Sequence, residues 1–376
     1  MSTYQIPSPC FVLHEEKLES NLKKISGIAN AAGVEFILAF KGFAMWKAFP
    51  IVKKYVNGAT ASSLHEAQLC VDYMKTKAHT YCVAYRDDEM DEILTLSSHI
   101  TFNSLTQLER YHAKAYSAGV SVGLRVNPQF SDVSTDLYNP ASPHSRLGVC
   151  ADELAEGLPV GIDGLHLHVL CESGSDALEG VLKAFEERFG HLLSEIKWLN
   201  IGGGHLVTRA DYEVERLIGL LQGIKAKYDL DIILEPGSAF AWETGDLHTT
   251  ILDVVNRNGV KTAIIDGSFT CHMPDCLEMP YRPKLQTGDR DNLKYEHRYR
   301  LGGVSCLAGD FLEEYSFPEP LKVGDEIIFK DMIHYTMVKT TTFNGVRHPS
   351  IGMINSEGQF ELIREFGYED YRDRLS

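Results

Sequence analysis

The chain has no CxxC pair and no dense cysteine framework: Cys10, Cys70, Cys82, Cys150, Cys171, Cys271, Cys276 and Cys306 are scattered over 376 residues. That spacing excludes a disulfide scaffold and reads as reduced thiols. No apolar run approaches the roughly 20 residues of a membrane span. The start, Met1 to Pro9, has no basic patch followed by an apolar core, so neither an anchor nor a secretory leader is expected and the cytoplasm is the expected location. Positive charge is also scarce. The 36 Lys and Arg against 52 Asp and Glu give a formal charge of −16, which argues against nucleic acid or an anionic membrane face and suits cationic small substrates. Internal repeats and low-complexity linkers are missing, which points to parts packed tightly together.

What is present is an ordinary globular composition, 44% apolar and 23% charged, in a chain long enough for one barrel of roughly 250 residues plus an addition. The first two thirds alternate short β-rich runs with amphipathic segments. Strands are expected at 34–40, 58–61, 80–84, 99–102, 121–126, 164–169, 198–201 and 231–235, with helices at 44–56, 104–117, 151–156, 176–195 and 211–227. Repeated strand and helix with connections of this length demand parallel pairing, and seven or eight repeats favour a (β/α)8 barrel, placed at 14–236, over an open sheet. After Glu235-Pro236-Gly237 the character changes to β-rich segments at 249–255, 260–266, 325–330 and 350–354. An all-β domain is expected at 237–376, joined by an N-terminal strand within 1–13.

In such a barrel the C-terminal ends of the strands make the site. Lys41 closes the apolar run Phe36-Ile-Leu-Ala-Phe40 and precedes Gly42. An ammonium there is costly to desolvate, so its pKa should fall and its amine become a nucleophile towards an aldehyde; the competing reading is a lysine that snorkels into water. Arg125, His168 and Glu235 end other strands. His166 and His168 share a strand face, but no third ligand of suitable spacing accompanies them, so no metal is assigned. Gly202-Gly203-Gly204 after Trp198-Leu199-Asn200-Ile201 offers converging backbone N–H groups for a phosphate monoester, or simply a tight turn. Glu235 either keeps a pyridine nitrogen protonated or is a helix-capping or ion-paired acid at a strand end. In the β-rich part, the glycine-bounded loop Gly302–Asp310 holds Cys306, a candidate proton donor, and Asp310, a candidate amine ligand, while Tyr335 could bond a phosphate or fill a core.

The ordered motifs AFKGFA, HLHVLCES, NIGGGH, LEPGSA, GGVSCLAGD and HYT span positions 41 to 335. In that order they resemble the alanine-racemase-like fold, in its eukaryotic-ornithine-decarboxylase-like branch, and within it the decarboxylases of carboxylated polyamines, through SCLAGD and CHMPDCLEMPYRP. The resemblance implies pyridoxal 5'-phosphate (PLP) as cofactor, carried by Lys41, with His168 stacked on its ring and Glu235 at its pyridine nitrogen. It places Gly202, Gly203, Gly204, Gly237, Tyr335 and Arg125 among the cofactor-binding residues. A homodimer with shared sites is also implied, in which Cys306 and Asp310 complete the partner's site. Relatives that decarboxylate diaminopimelate carry an arginine directly after Glu-Pro-Gly, where this chain has Ser238. With His272, Asp275 and Glu278 nearby in sequence, a cationic tail fits better than a distal carboxylate. Arg282 is assigned either to the substrate α-carboxylate or to a surface ion pair. The implied reaction is α-decarboxylation of carboxynorspermidine or carboxyspermidine. Decarboxylation of diaminopimelate or another basic amino acid, racemisation, and a non-catalytic PLP carrier are the alternatives; Glu235 speaks against the racemase, and the retained lysine and thiol against the carrier.

Overall fold

The structure is a computed structural model that describes residues 5–133, 139–142 and 144–376. Residues 1–4 of the expected N-terminal strand thus lie outside the described residues. The chain divides into two compact units, one of Ser20–Phe240 and one of Met1–Glu19 with Ala241–Ser376.

The first unit is a barrel of parallel strands. Its nine short strands occupy eight positions, because the segment expected as one strand at 34–40 appears as Glu35–Phe36 and Leu38–Ala39 on either side of Ile37. That segment bonds alternately to its two neighbours. Ile37 N–H donates to Leu234 O and Ala39 N–H to Pro236 O, while Leu38 N–H donates to Gly58 O and Phe40 N–H to Thr60 O, so the sheet closes on itself. The remaining strands follow in chain order: Ala59–Ala61, Ala78–Tyr81, Ser97–Phe102, Ser121–Val126, Gly164–Leu167, Trp198–Asn200 and Asp231–Leu234. Such strands are covered on both faces and therefore read as apolar runs.

Inward-facing residues recur at every second position and stack in layers. Trp198 fills the lower layer, and a Cβ on Gly123 or Gly164 would overlap its ring, so both glycines are there to admit the indole. Its Nε1–H donates to Ser121 Oγ at 2.9 Å. One step up the same strands stand Arg125, His166 and Asn200, which gives the upper end of the barrel its polar lining. The helices begin where the local chemistry allows. Ser104 caps Leu105–Ser117 and Ser63 caps Leu64–Leu69 through their hydroxyls. The helix expected at 44–56 is only a 3-10 turn, Trp46–Ala48, and one α-turn, Phe49–Val52, set off by Pro50. At 151–156 there is likewise a single 3-10 turn, Ala151–Leu154.

The second unit is a mainly antiparallel sheet in the order Phe311–Phe317, His297–Gly302, Val260–Ile265, Gly245–Arg257, Cys10–His14, Ser350–Ile354 and Phe360–Arg364, with Glu326–Lys330 also paired to Gly245–Arg257. The 13-residue strand Gly245–Arg257 is the hub: an irregularity between Ile251 and Asp253 lets its first half pair with Cys10–His14 and its second half with Val260–Ile265. Between its strands this unit also carries short helices at Phe269–His272 and Asp275–Glu278, with a third, Tyr368–Arg372, after the last strand. Among the described residues no helix is long and apolar enough to cross a membrane.

Candidate active site

Lys41 follows the strand Leu38–Ala39, and the turn that carries it packs backbone to backbone against the loop after Leu234. A Cβ on Gly42 would lie 2.7 Å from Gly237 Cα. Glycine at 42 is therefore what lets the lysine stand beside Glu235. Lys41 is open to solvent, yet protein groups crowd it, and this desolvation, followed by the charge of Arg125, lowers its pKa against the opposing pull of Glu235, Glu66 and Cys171. His168 explains which form of the amine is present. Its Nδ1 accepts the Gly203 N–H at 2.8 Å, so the neutral ring carries its proton on Nε2. That Nε2–H faces Lys41 Nζ at 3.1 Å, and the lysine can meet it only as a free amine with a lone pair to offer. Burial first, and the basic neighbours after it, keep His168 neutral, far below its ordinary pKa. Arg125 is buried, donates to His168 O at 2.9 Å and lies over the Tyr81 ring at 4.8 Å. It fixes the backbone of His168.

Glu235 is 8% exposed. Burial alone would raise its pKa, but His166 and a hydrogen bond from Asn200 outweigh it and hold the carboxyl below the usual carboxylate range. Asn200 Nδ2 donates to Glu235 Oε1 at 2.6 Å. His166 Nε2 stands 3.4 Å from Oε2, a long contact, and burial lowers the pKa of this histidine while Glu235 opposes that shift. The glycine turn beside it is built for close approach. Gly202 and Gly204 have φ of +73° and +88°, and a Cβ on Gly202, Gly203 or Gly204 would overlap Leu167 O, Glu235 O or Leu170 O respectively. Two of the three N–H groups expected to converge on a phosphate are, however, spent inside the protein: Gly202 N–H on Asn200 Oδ1 and Gly203 N–H on His168 Nδ1, each at 2.8 Å. Of the turn, only the Gly204 N–H has no acceptor among the described residues.

The sheet unit treats its expected site residues differently. Asp310 is 4% exposed and its carboxylate accepts four hydrogen bonds: from Phe269 N (2.7 Å) and Thr270 N (3.0 Å) on Oδ1, and from Ser268 Oγ (2.8 Å) and Ser305 N (3.1 Å) on Oδ2. Its accepting capacity is filled. Asp310 therefore shapes the loop that presents Cys306 and does not grip an amine. His272, also expected at the substrate, is fully buried, its Nδ1 accepts Ser268 N–H, and burial pushes its pKa down to about 3; it is a core residue. Asp275 and Glu278 do hold an ammonium, but it is that of Lys339, which donates to Asp275 and, at 2.9 Å, to Glu278. Although desolvation opposes them, these two acids hold the Lys339 pKa at about 12. Arg282 donates to Glu314 O and stacks over Tyr315, a structural tie and not a surface ion pair. Cys306 is exposed, and its N–H donates to Asn344 Oδ1 at 2.8 Å. Tyr335 is half-buried with φ +48°.

A family model described as "Pyridoxal-dependent decarboxylase, C-terminal sheet domain" matches residues 55–333. The chain is 51% identical over 371 residues to a carboxyaminopropylagmatine decarboxylase of Synechocystis, covering 98% of this chain and 96% of that one. The chain belongs to the pyridoxal-dependent decarboxylases. It is also 42% identical to a carboxynorspermidine/carboxyspermidine decarboxylase of Campylobacter jejuni, with 98% of both chains covered. Among solved structures it resembles the C. jejuni carboxynorspermidine decarboxylase complexed with norspermidine, at a TM-score of 0.90 and 40% identity, over 98% of this chain and 100% of that one.

The residues present in this decarboxylase fit PLP. A neutral lysine, an ionised carboxylate and a turn that any Cβ would obstruct match an aldehyde, a pyridine nitrogen and a phosphate. The N–H groups of Gly204 and Gly237, neither with an acceptor among the described residues, would hold the phosphate. Sequence reasoning missed several groups here. Asn200 carries a signal that could have found it, an Asn two residues before a glycine, the Asx-turn spacing. Glu66, whose carboxylate accepts Ser62 N–H at 2.6 Å and lies within electrostatic reach of Lys41, has none. Glu172, with φ +50°, accepts from Ser238 Oγ at 3.2 Å and was equally hidden.

Proposed function

We propose that this decarboxylase removes the α-carboxylate of a carboxylated polyamine, carboxynorspermidine or carboxyspermidine, to give norspermidine or spermidine and carbon dioxide. The observation that carries the reading is at Ser238. At the position directly after Glu-Pro-Gly, where diaminopimelate decarboxylases have a cation, this barrel has a hydroxyl bonded to the exposed carboxylate of Glu172. An anion there favours an amine and repels a second carboxylate. The substrates for which the C. jejuni relative is named support the same class. The Synechocystis relative supports a second reading, in which the same carboxyaminopropyl head is joined to agmatine.

When bound, PLP would supply an electron sink for loss of the carboxylate. Lys41, held as a free amine by the His168 tautomer, would be the nucleophile that carries the cofactor's aldehyde. Glu235, ionised, would keep a proton on the ring nitrogen, and His168 would cover the ring. Gly204 and Gly237 would hold the phosphate through their N–H groups. Cys306 Sγ delivers the proton that replaces the carboxylate. The protein works in the cytoplasm as a homodimer, with Cys306 completing the partner's site.

The test is carbon dioxide release by purified protein with PLP and, in parallel, carboxynorspermidine, carboxyspermidine, carboxyaminopropylagmatine and diaminopimelate. A kcat/KM highest for either carboxylated triamine supports the first reading, the agmatine derivative the second, and diaminopimelate rejects both. For the shared site, mixing the inactive Lys41→Ala and Cys306→Ala proteins should restore activity; no recovery under exchange conditions rejects it.

A further inference from the structure

Asn200 closes the strand Trp198–Asn200 and is 3% exposed. Its Oδ1 accepts the Gly202 N–H at 2.8 Å and its Nδ2 donates to Glu235 Oε1 at 2.6 Å. An N–H can only donate and an ionised carboxylate can only accept, so the chemistry at both ends dictates which way the amide faces. The Asx turn alone is commonplace; what sets Asn200 apart is that the other half of the same rigid amide ends on a buried carboxylate. The backbone repeats the connection, since Glu235 N–H donates to Gly202 O at 2.8 Å and a Cβ on Gly203 would overlap Glu235 O. Among the described residues Asn200 makes the one short side-chain hydrogen bond to Glu235, His166 standing farther off at 3.4 Å.

We propose that Asn200 is a positioning residue that registers the two ends of the cofactor cradle, holding the carboxylate that meets the pyridine nitrogen at a set distance from the glycine turn that meets the phosphate. It touches neither end of the cofactor itself. By occupying the Gly202 N–H it stiffens the turn, and by donating to Oε1 it fixes the rotamer of Glu235 and leaves Oε2 for the ring nitrogen. A change at Asn200 therefore acts on both ends of PLP at once.

The test uses Asn200→Ala, Asn200→Asp and the double variant Asn200→Asp with Glu235→Gln, read by PLP dissociation constant and by the melting temperature of the cofactor-free protein. Asn200→Ala should weaken PLP binding about 10-fold, and Asn200→Asp about 100-fold at pH 8, since an acceptor then faces an acceptor. Near pH 6 the Asn200→Asp deficit should shrink towards that of Asn200→Ala as the two carboxyls come to share a proton. The other titrating and charged groups facing Glu235, namely His166, His79 and Lys41, are common to all variants, so each is compared with the parent at the same pH. In the double variant the amide introduced at position 235 can donate to the carboxylate introduced at position 200, and the melting temperature should recover towards the parent; this variant carries the test should Asn200→Asp alone not fold. Single variants within twofold of the parent, a deficit that is flat with pH, or a double variant no more stable than Asn200→Asp would each overturn the proposal.

Discussion

In the barrel unit the chemical groups are held by one another; in the sheet unit most of those expected to be chemical are consumed by the fold. Lys41, His168 and Gly203 form one chain of contacts, and His166, Glu235, Asn200 and Gly202 a second. Parallel strands end together, so side chains two apart on neighbouring strands converge at one end and can satisfy each other while leaving an atom over for a ligand. The antiparallel sheet sends its loops to alternate ends, and each loop must satisfy its own polar groups. Asp310 does so for the Cys306 loop with all four of its acceptor positions. A carboxylate in a glycine-bounded motif is thus chemistry or scaffold according to whether its hydrogen-bonding capacity is already full.

The sharpest break is expected at Lys41. Lys41→Ala should lower turnover by about 1,000-fold or more and remove the adduct that borohydride traps on that side chain; retained trapping would move the cofactor elsewhere. In the sheet unit, Asp310→Ala should cost about 3 kcal/mol of folding stability, because it orphans several buried donors at once. If Asp310 were an amine ligand, thermal unfolding would hardly change and KM would rise instead. Cys306→Ala should reduce kcat about 100-fold with the PLP dissociation constant unchanged, and a loss of PLP affinity would place Cys306 with the scaffold.

Acid should separate the units. His79 and His205 in the barrel are held by burial at about 3 and about 4, against an ordinary value of 6.5. Their folded pKa values are depressed, so the unfolded chain binds protons first as the pH falls. The associated stability is complete above pH 6.5 and drains away below it, at about 1.4 kcal/mol per pH unit for each site until its folded value is reached. With His99, His166 and His168 shifted the same way in the barrel, against His14, His272 and His348 in the sheet unit, the opening free energy read by hydrogen exchange, corrected for the slower intrinsic exchange in acid, should fall sooner in the barrel between pH 7 and pH 5. Uniform exchange would contradict this. The smallest effect belongs to Glu172→Gln, which should raise KM for a cationic substrate about threefold and leave kcat alone, as expected of an exposed charge.

The barrel was legible because its signal is local: apolar runs of strand length, spaced by helical segments, with polar residues at their C-terminal ends. Lys41, His168 and Glu235 could be singled out for the same reason. Less legible was the sheet unit, where His297–Gly302 and Phe311–Phe317 carry charged outer faces that dilute the strand pattern. Asp310, Asp275 and Glu278 have the right residue types near the right motif, yet Asp310 meets Ser268 and Phe269, and Asp275 and Glu278 meet Lys339, across 41 to 64 residues of chain.

The sequence alone determined the order of strands, the lysine after the first of them, the glycine turn and the acid before Pro236, since each depends on residues adjacent in the chain. Only the tertiary structure decided that Asn200 spans the 35 residues to Glu235, that Gly203 sets the tautomer of His168, and that Asp310 is already satisfied. Those outcomes depend on how donors and acceptors from distant strands divide a limited hydrogen-bonding capacity, and that division exists only once the strands are side by side.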